Sequence, residues 1–245
     1  MATQAEPEIV LYDLANINNT CFSPAVWRIR LLLSYKHLPY RTIFLELPDI
    51  EPTLKGFGIP PHSGPGARIK YTVPTIHHIP TNTYLMDSVP ISQFLESTYP
   101  SSPPFTLTSE LGRSIETLGR ETLGPGFRAS LMPRELHILS PRAQEYFRRT
   151  REAWAGRPLE DLLDGEEQLW KSLEGALCEF DDLLRTNAAE GPFVLGKAPS
   201  GTDFWLVGSL QMARAVDERI FHTLVKHPGF QAIYDACKPY MQKQN

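Results

Sequence analysis

Cysteine is scarce in this 245-residue chain: Cys21, Cys178 and Cys237 are the whole supply. Their odd number and wide separation exclude a disulfide framework, and none shows the spacing of a structural zinc site. No metal is expected, and a reducing compartment is. Charge of one sign is lacking too, since Lys+Arg 24 against Asp+Glu 28 gives a formal net charge of -4 without any Lys/Arg-rich run. That balance offers no electrostatic footprint for nucleic acid or an anionic membrane surface. No stretch approaches the ~18 apolar residues of a membrane span, and Met1 to Ile9 is polar and acidic, unlike a secretory leader. A cytoplasmic protein with a small-molecule or protein partner is expected. Repeats and low-complexity tracts are absent as well. What remains is ordinary: 42% hydrophobic and 21% charged residues, in a length that suits one large domain or two small ones with ample core.

The first hundred residues alternate strand and helix patterns. Glu8 to Leu14 reads as a buried strand that ends in the polar cluster Asn16 to Thr20. Ser23-Pro24 places a capping residue before a proline suited to the first helical position, and Val26, Ile29, Leu32 and Leu33 follow at helical spacing to about His37. Tyr40 to Leu45 is a second strand, so the unit is strand-helix-strand and parallel. Pro48 to Gly58 suits a short irregular helix, and Pro60, Pro61, Gly64, Pro65 and Gly66 predict a mobile loop. Tyr71 to His77 and Thr83 to Met86 are strand candidates around a turn containing Pro80 and Asn82, which predicts an antiparallel hairpin. Asp87-Ser88 caps a further helix with Ile91, Phe94 and Leu95 on its apolar face, and Tyr99-Pro100 stops it.

Pro100-Ser101-Ser102-Pro103-Pro104 can propagate neither helix nor ladder, so the domain boundary belongs there. Domains of 1–100 and 107–245, joined through 101–106, are expected. Beyond the boundary strand signals nearly vanish. Leu169, Trp170, Leu173, Leu177, Phe180 and Leu184 form a helical stripe, and Ser200 to Asp203 reads as a capping box before the almost wholly apolar Phe204 to Val216.

A β-α-β-α-β-β-α domain, a linker and an all-helical domain, with Ser23-Pro24, Val73-Pro74 and Asp87-Ser88 in that order and a capping box at Ser200, resemble the cytosolic glutathione transferases. The resemblance covers almost the whole chain. It implies an α/β thioredoxin-like domain followed by an all-α domain, glutathione as co-substrate or cofactor, a homodimer, and a hydrophobic small-molecule acceptor. Within the family, Ser23 to Arg30, Leu47 to Glu51, Tyr71 to Pro74 and Ser140 to Glu152 resemble the fungal-specific, etherase-related transferases with a serine-type loop. Detoxification or fungal secondary metabolism, through conjugation, ether cleavage or isomerisation, would follow.

Each motif has a plain and a functional reading. A free thiol ionises near pH ~8.5, so glutathione chemistry at neutral pH needs a helix N-terminus and a hydroxyl donor beside the sulfur. Ser23 alone reads as an N-cap; the resemblance makes it the catalytic donor, with Asn18, Asn19, Thr20 and Cys21 as neighbours able to polarise the thiol. Cys21 as a mixed-disulfide nucleophile would instead make a glutathione-dependent thiol reductase, and a non-catalytic ligand carrier of the same fold is a third possibility. Pro74 alone suits a trans proline at a strand edge; the resemblance implies a cis bond that turns the Val73 backbone toward the cysteinyl part of glutathione. Asp87 and Ser88 alone are a helix cap; the resemblance gives them the γ-glutamyl end. Lys55 and Lys70, ordinarily solvated charges, are candidates for the glycine carboxylate. His77-His78 point to opposite faces of a strand and lack companion ligands. Phe127, Tyr146, Phe147 and Trp154 suit core or acceptor pocket equally.

Overall fold

The computed structural model describes residues 7–63 and 69–242. Gly64, Pro65 and Gly66 of the expected loop lie outside the described residues, as does most of Met1 to Ile9. A four-stranded sheet in the order β2-β1-β3-β4 comes first. The central strand β1 (Ile9–Leu14) is buried along nearly its whole length, as the apolar run from Ile9 to Tyr12 requires, with Asp13 buried as well. It pairs in parallel with β2 (Tyr40–Leu45) and antiparallel with β3 (Thr75–His78), which in turn pairs antiparallel with β4 (Thr83–Met86). Helices α1 (Pro24–Tyr35), α2 (Leu47–Gly56) and α3 (Ser88–Thr98) complete the β-α-β-α-β-β-α order.

One strand is shorter than the alternation predicts. Tyr71 to Pro74 bends instead of pairing: the Val73-Pro74 bond is cis, the Thr75 hydroxyl donates to the Thr72 carbonyl at 3.0 Å, and the ladder starts only at Thr75. The proline linker is gathered by a lysine that its sequence neighbours did not advertise. Lys36, 2% exposed, pairs with Glu96 at 2.7 Å and donates to the carbonyls of Tyr99 and Pro103.

The remainder is helical: α4 (Glu110–Arg134), α5 (Pro141–Ala155), α6 (Glu166–Leu184), α7 (Gly201–Val216), α8 (Glu218–Leu224) and α9 (Pro228–Cys237). Ser200 donates from both its N–H and its hydroxyl to Asp203 Oδ2, at 2.8 and 2.6 Å, and α7 behind that box is buried on nearly every side. The Leu169 to Leu184 stripe lies on α6, with Leu177, Phe180 and Leu184 fully in the core. α7 runs against α1, and Gly208 meets the Pro24 carbonyl so closely that a side chain there would collide with it. The first turn of α1 is thereby seated on the helical domain.

Candidate active site

Strand register brings the three motifs to one end of the sheet. Thr75 at the start of β3 faces Tyr12 near the end of β1, and Met86 at the end of β4 faces Thr75. Ser23 follows β1, Val73-Pro74 precedes β3, and Asp87-Ser88 follows β4, so all three leave the same edge. Pro74 and Asp87 are joined directly, through Asp87 N–H to the Pro74 carbonyl at 3.0 Å.

Neither expected cap is made by its side chain. Ser23 holds the N-cap position of α1 with extended backbone, yet its half-buried hydroxyl makes no bond to the helix. Its carbonyl accepts the Trp27 N–H at 2.9 Å, and among the described residues the amides of Ala25 and Val26 have no acceptor. An uncommitted hydroxyl therefore stands beside an open, positively polarised helix end. Asp87 likewise forms no side-chain cap on α3, and its φ of 81° is a left-handed value that aspartate adopts at a cost of ~1–3 kcal/mol. Its neighbour Ser88 is buried and turns its hydroxyl toward Asp87 Oδ1 at 3.4 Å. Val73 offers backbone: among the described residues no group pairs with its N–H or its carbonyl.

The loop before Ser23 is organised by Asn16, the first residue of the polar cluster. Its Oδ1 accepts the N–H groups of Asn18 and Thr20 at 2.9 and 3.1 Å, and its Nδ2 donates to the Thr20 hydroxyl at 3.2 Å. Thr20 is thus engaged, and Asn18 and Asn19 are exposed. Cys21 is 4% exposed, and burial, aided by the charge of Asp13, pushes its thiol well above the usual range. A neutral, enclosed thiol is a poor nucleophile. Beneath it lies a buried ion pair, Asp13 with Arg30, whose Nε and Nη2 reach Asp13 Oδ2 at 3.0 and 2.8 Å.

The cation candidates are less converged. Lys55 is exposed and paired with Glu51 at 2.6 Å, and Lys70 is exposed. His62, half-buried, lies within 3.2 Å of the Thr72 hydroxyl beside Val73, a neighbour that sequence distance concealed. His77 and His78 part as expected: the first meets Asn82 at 2.9 Å, the second meets Thr81 and Tyr99 at 2.7 and 2.8 Å. Of the four aromatics, Phe147 is core at 2% exposure, whereas Trp154 is 39% exposed beneath the Arg128 guanidinium.

The helical domain closes over this edge. Phe22 packs with Leu136, Leu139, Ala143 and Phe147, and the Ile17 N–H donates to the Ile138 carbonyl at 2.9 Å. At the head of α5, the Ser140 hydroxyl donates to Glu46 at 2.6 Å and Arg142 grips both oxygens of Asp49 at 2.6 Å.

A thioredoxin-like sheet end with a cis-proline backbone, a serine at an open helix terminus and a helical domain over it place the chain among two-domain proteins that join a thioredoxin-like domain to an all-helical one. Comparison with known proteins agrees. Residues 22–98 match the model of the glutathione S-transferase N-terminal domain, and residues 111–229 that of the C-terminal domain. The glutathione S-transferase-like protein ustS of Aspergillus flavus is 30% identical over 240 residues, 91% of this chain and 86% of ustS. Glutathione transferase GSTFuA3 of Phanerochaete chrysosporium superposes with a TM-score of 0.83 at 31% identity, covering 97% of this chain and 98% of that one. CsGST63524 of Ceriporiopsis subvermispora, a glutathione S-transferase solved with glutathione, gives 0.83 at 27% identity over 95% and 97% of the two chains. The chain belongs to the glutathione S-transferase family.

Proposed function

We propose that the protein is a glutathione transferase of the fungal, etherase-related kind whose Ser23 hydroxyl and α1 N-terminus hold the glutathione sulfur as a thiolate. The observation that carries this reading is the uncommitted Ser23 hydroxyl at an open helix end, on the same sheet edge as cis Val73-Pro74 and Asp87-Ser88. The unpaired Val73 backbone suits the cysteinyl amide. Asp87 suits the γ-glutamyl ammonium, and Ser88 at the start of α3 its carboxylate. Lys55 or Lys70 would take the glycine carboxylate.

The thiol proton leaves to solvent, the sulfur attacks an electrophilic carbon of a hydrophobic acceptor, and the leaving group departs with the bonding pair. Lowering the thiol pKa by about two units requires roughly 2.7 kcal/mol, which a hydroxyl donor and a helix terminus together supply. Domains 1–100 and 107–245 would bind glutathione and acceptor respectively, in a cytoplasmic homodimer. No helix among the described residues is long and apolar enough to cross a membrane.

Calorimetric glutathione binding and the ultraviolet thiolate signal between pH 6 and 8 test the reading on wild type, Ser23→Ala and Cys21→Ala. Binding with a thiolate that vanishes in Ser23→Ala and persists in Cys21→Ala is expected. Activity lost in Cys21→Ala alone would identify a reductase, and apolar-ligand binding without glutathione binding would identify a carrier.

A further inference from the structure

The fold assembles a cluster that spacing along the chain conceals. Glu174 and Cys178 stand one turn apart on α6, His227 occupies the N-cap of α9, and one donor atom of each lies within 4.8 Å of the other two. The platform beneath them is fixed. Gly229 N–H donates to the buried Asp181 Oδ1 at 2.7 Å, and the rings of Phe180 and Phe230 meet edge to face with centroids 5.0 Å apart. A side chain at Gly229 would press on Asp181 and Arg185, so the two helices approach as closely as glycine allows. The His227 backbone is held at both ends, its N–H donating to Leu224 and its carbonyl accepting from Gln231, each at 3.1 Å.

Glu174 and Cys178 are exposed and His227 is half-buried. Among the described residues none of these three side chains is committed to a hydrogen bond or ion pair. The other two cysteines differ, because burial encloses Cys21 and Cys237.

We propose that Glu174, Cys178 and His227 form a zinc site with a fourth position open to water. One thiolate, one imidazole and one carboxylate are the donor types zinc takes, and the sulfur disfavours magnesium and calcium. Bond lengths of ~2.0–2.3 Å at tetrahedral angles place ligand atoms roughly 3.3–3.6 Å apart, so the exposed side chains need to close by no more than about 1.5 Å on binding. Cys178 gives its thiol proton to solvent as the Zn–S bond forms, with no change of oxidation state. The bound ion ties α6 to α9 and shields the exposed thiol from electrophiles. This site stands apart from the glutathione reading and is independent of it.

The test uses the full-length, tag-free protein stripped with chelator. Cobalt titration is expected to produce a near-ultraviolet thiolate-to-cobalt band saturating at one equivalent, absent in Cys178→Ser. Zinc affinity, measured by competition with a chromogenic chelator, is expected to fall roughly tenfold or more in His227→Gln and in Glu174→Gln. His222→Gln, whose ring lies 3.9 Å from Glu218 outside the cluster, is the control that retains affinity. Stoichiometric zinc is further expected to slow iodoacetamide alkylation of Cys178, mapped by mass spectrometry, about tenfold. All four positions lie outside the packed core, so circular dichroism verifies that each variant folds. No thiolate band in wild type, a band that survives Cys178→Ser, or unchanged zinc affinity in His227→Gln would overturn the proposal.

Discussion

Replacing Arg30 by Met tests the buried ion pair that ties the middle of α1 to β1. Both side chains of the pair are fully excluded from solvent, and Arg30 Nη2 also donates to the Thr42 hydroxyl at 3.1 Å. Methionine keeps much of the volume and removes the charge. Asp13 would retain the Leu14 N–H at 2.7 Å and lose its only nearby ion-pair partner among the described residues. Stranding one member of a buried pair costs about 3–5 kcal/mol, a large fraction of a domain's stability. Burial already pushes the Asp13 carboxyl above its ordinary range, and Arg30 pulls it back. Without Arg30 it rises further, so the native state binds a proton that the unfolded state, ionising near ~3.9, gives up. The variant's stability is then greatest below pH ~4 and falls with rising pH, by up to ~1.4 kcal/mol per unit, until the folded pKa is passed. Urea unfolding at pH 5 and pH 7.5 should therefore show a deficit relative to wild type that widens at the higher pH. Asp13→Leu combined with Arg30→Met should recover most of the loss, because an apolar pair leaves no charge to desolvate. A deficit under ~1 kcal/mol at both pH values, or a double variant no better than the single, would refute the reasoning.

Further outcomes follow from single contacts. Ser140→Ala removes both the hydroxyl bond to Glu46 and the cap on the Ala143 N–H, at 2.6 and 3.2 Å, and should cost about 1–2 kcal/mol in urea unfolding. Gly208→Ala forces α7 away from the Pro24 carbonyl; a loss of ~2 kcal/mol and weaker glutathione binding by calorimetry are expected together, because the same carbonyl belongs to the first turn of α1. Burial raises the Glu135 carboxyl to about 7, so folding stability should fall as pH rises from its ordinary value of 4.5 toward 7, and Glu135→Gln should flatten that part of the profile.

The first domain was legible because its elements announce themselves locally. The apolar run from Ile9 to Tyr12 means a strand covered on both faces, and Ser23-Pro24 and Asp87-Ser88 mark the two helix starts within one residue. The capping box at Ser200 was equally plain. Local pattern failed where backbone geometry or distant partners decide. Nothing in the composition of Tyr71 to Pro74 says that the strand waits for Thr75, and nothing at Asp87 announces a φ of 81°. Pro125 and Pro133 both lie inside α4, where tertiary packing outweighs proline's missing donor. The roles of Asp13, Lys36 and His62 were not legible for a common reason: each gains its meaning from a partner that the chain brings near only on folding. The zinc ligands share that reason, with His227 supplied by a different helix from the other two.

Two segments singled out together in the sequence, Leu47 to Glu51 and Ser140 to Glu152, meet in space through Arg142 and Asp49. That meeting changes what the helical domain contributes. The loop from Ala15 to Phe22 is tied to its own domain by the Ala15 N–H on the Leu45 carbonyl and by the Trp27 indole N–H on the Cys21 carbonyl, and to the helical side at Ile17 by Ile138 and at Phe22 by the cluster around Leu136 and Phe147. The residues on the helical side all belong to the segment between α4 and the end of α5. The backbone that delivers Ser23 is thus fixed from the helical side as much as from β1, and α7 fixes the next turn through Pro24. The thioredoxin-like domain carries Ser23, but its position is a property of both domains, so under the proposed function an acceptor bound against α5 would press on the loop that delivers the proposed thiol donor.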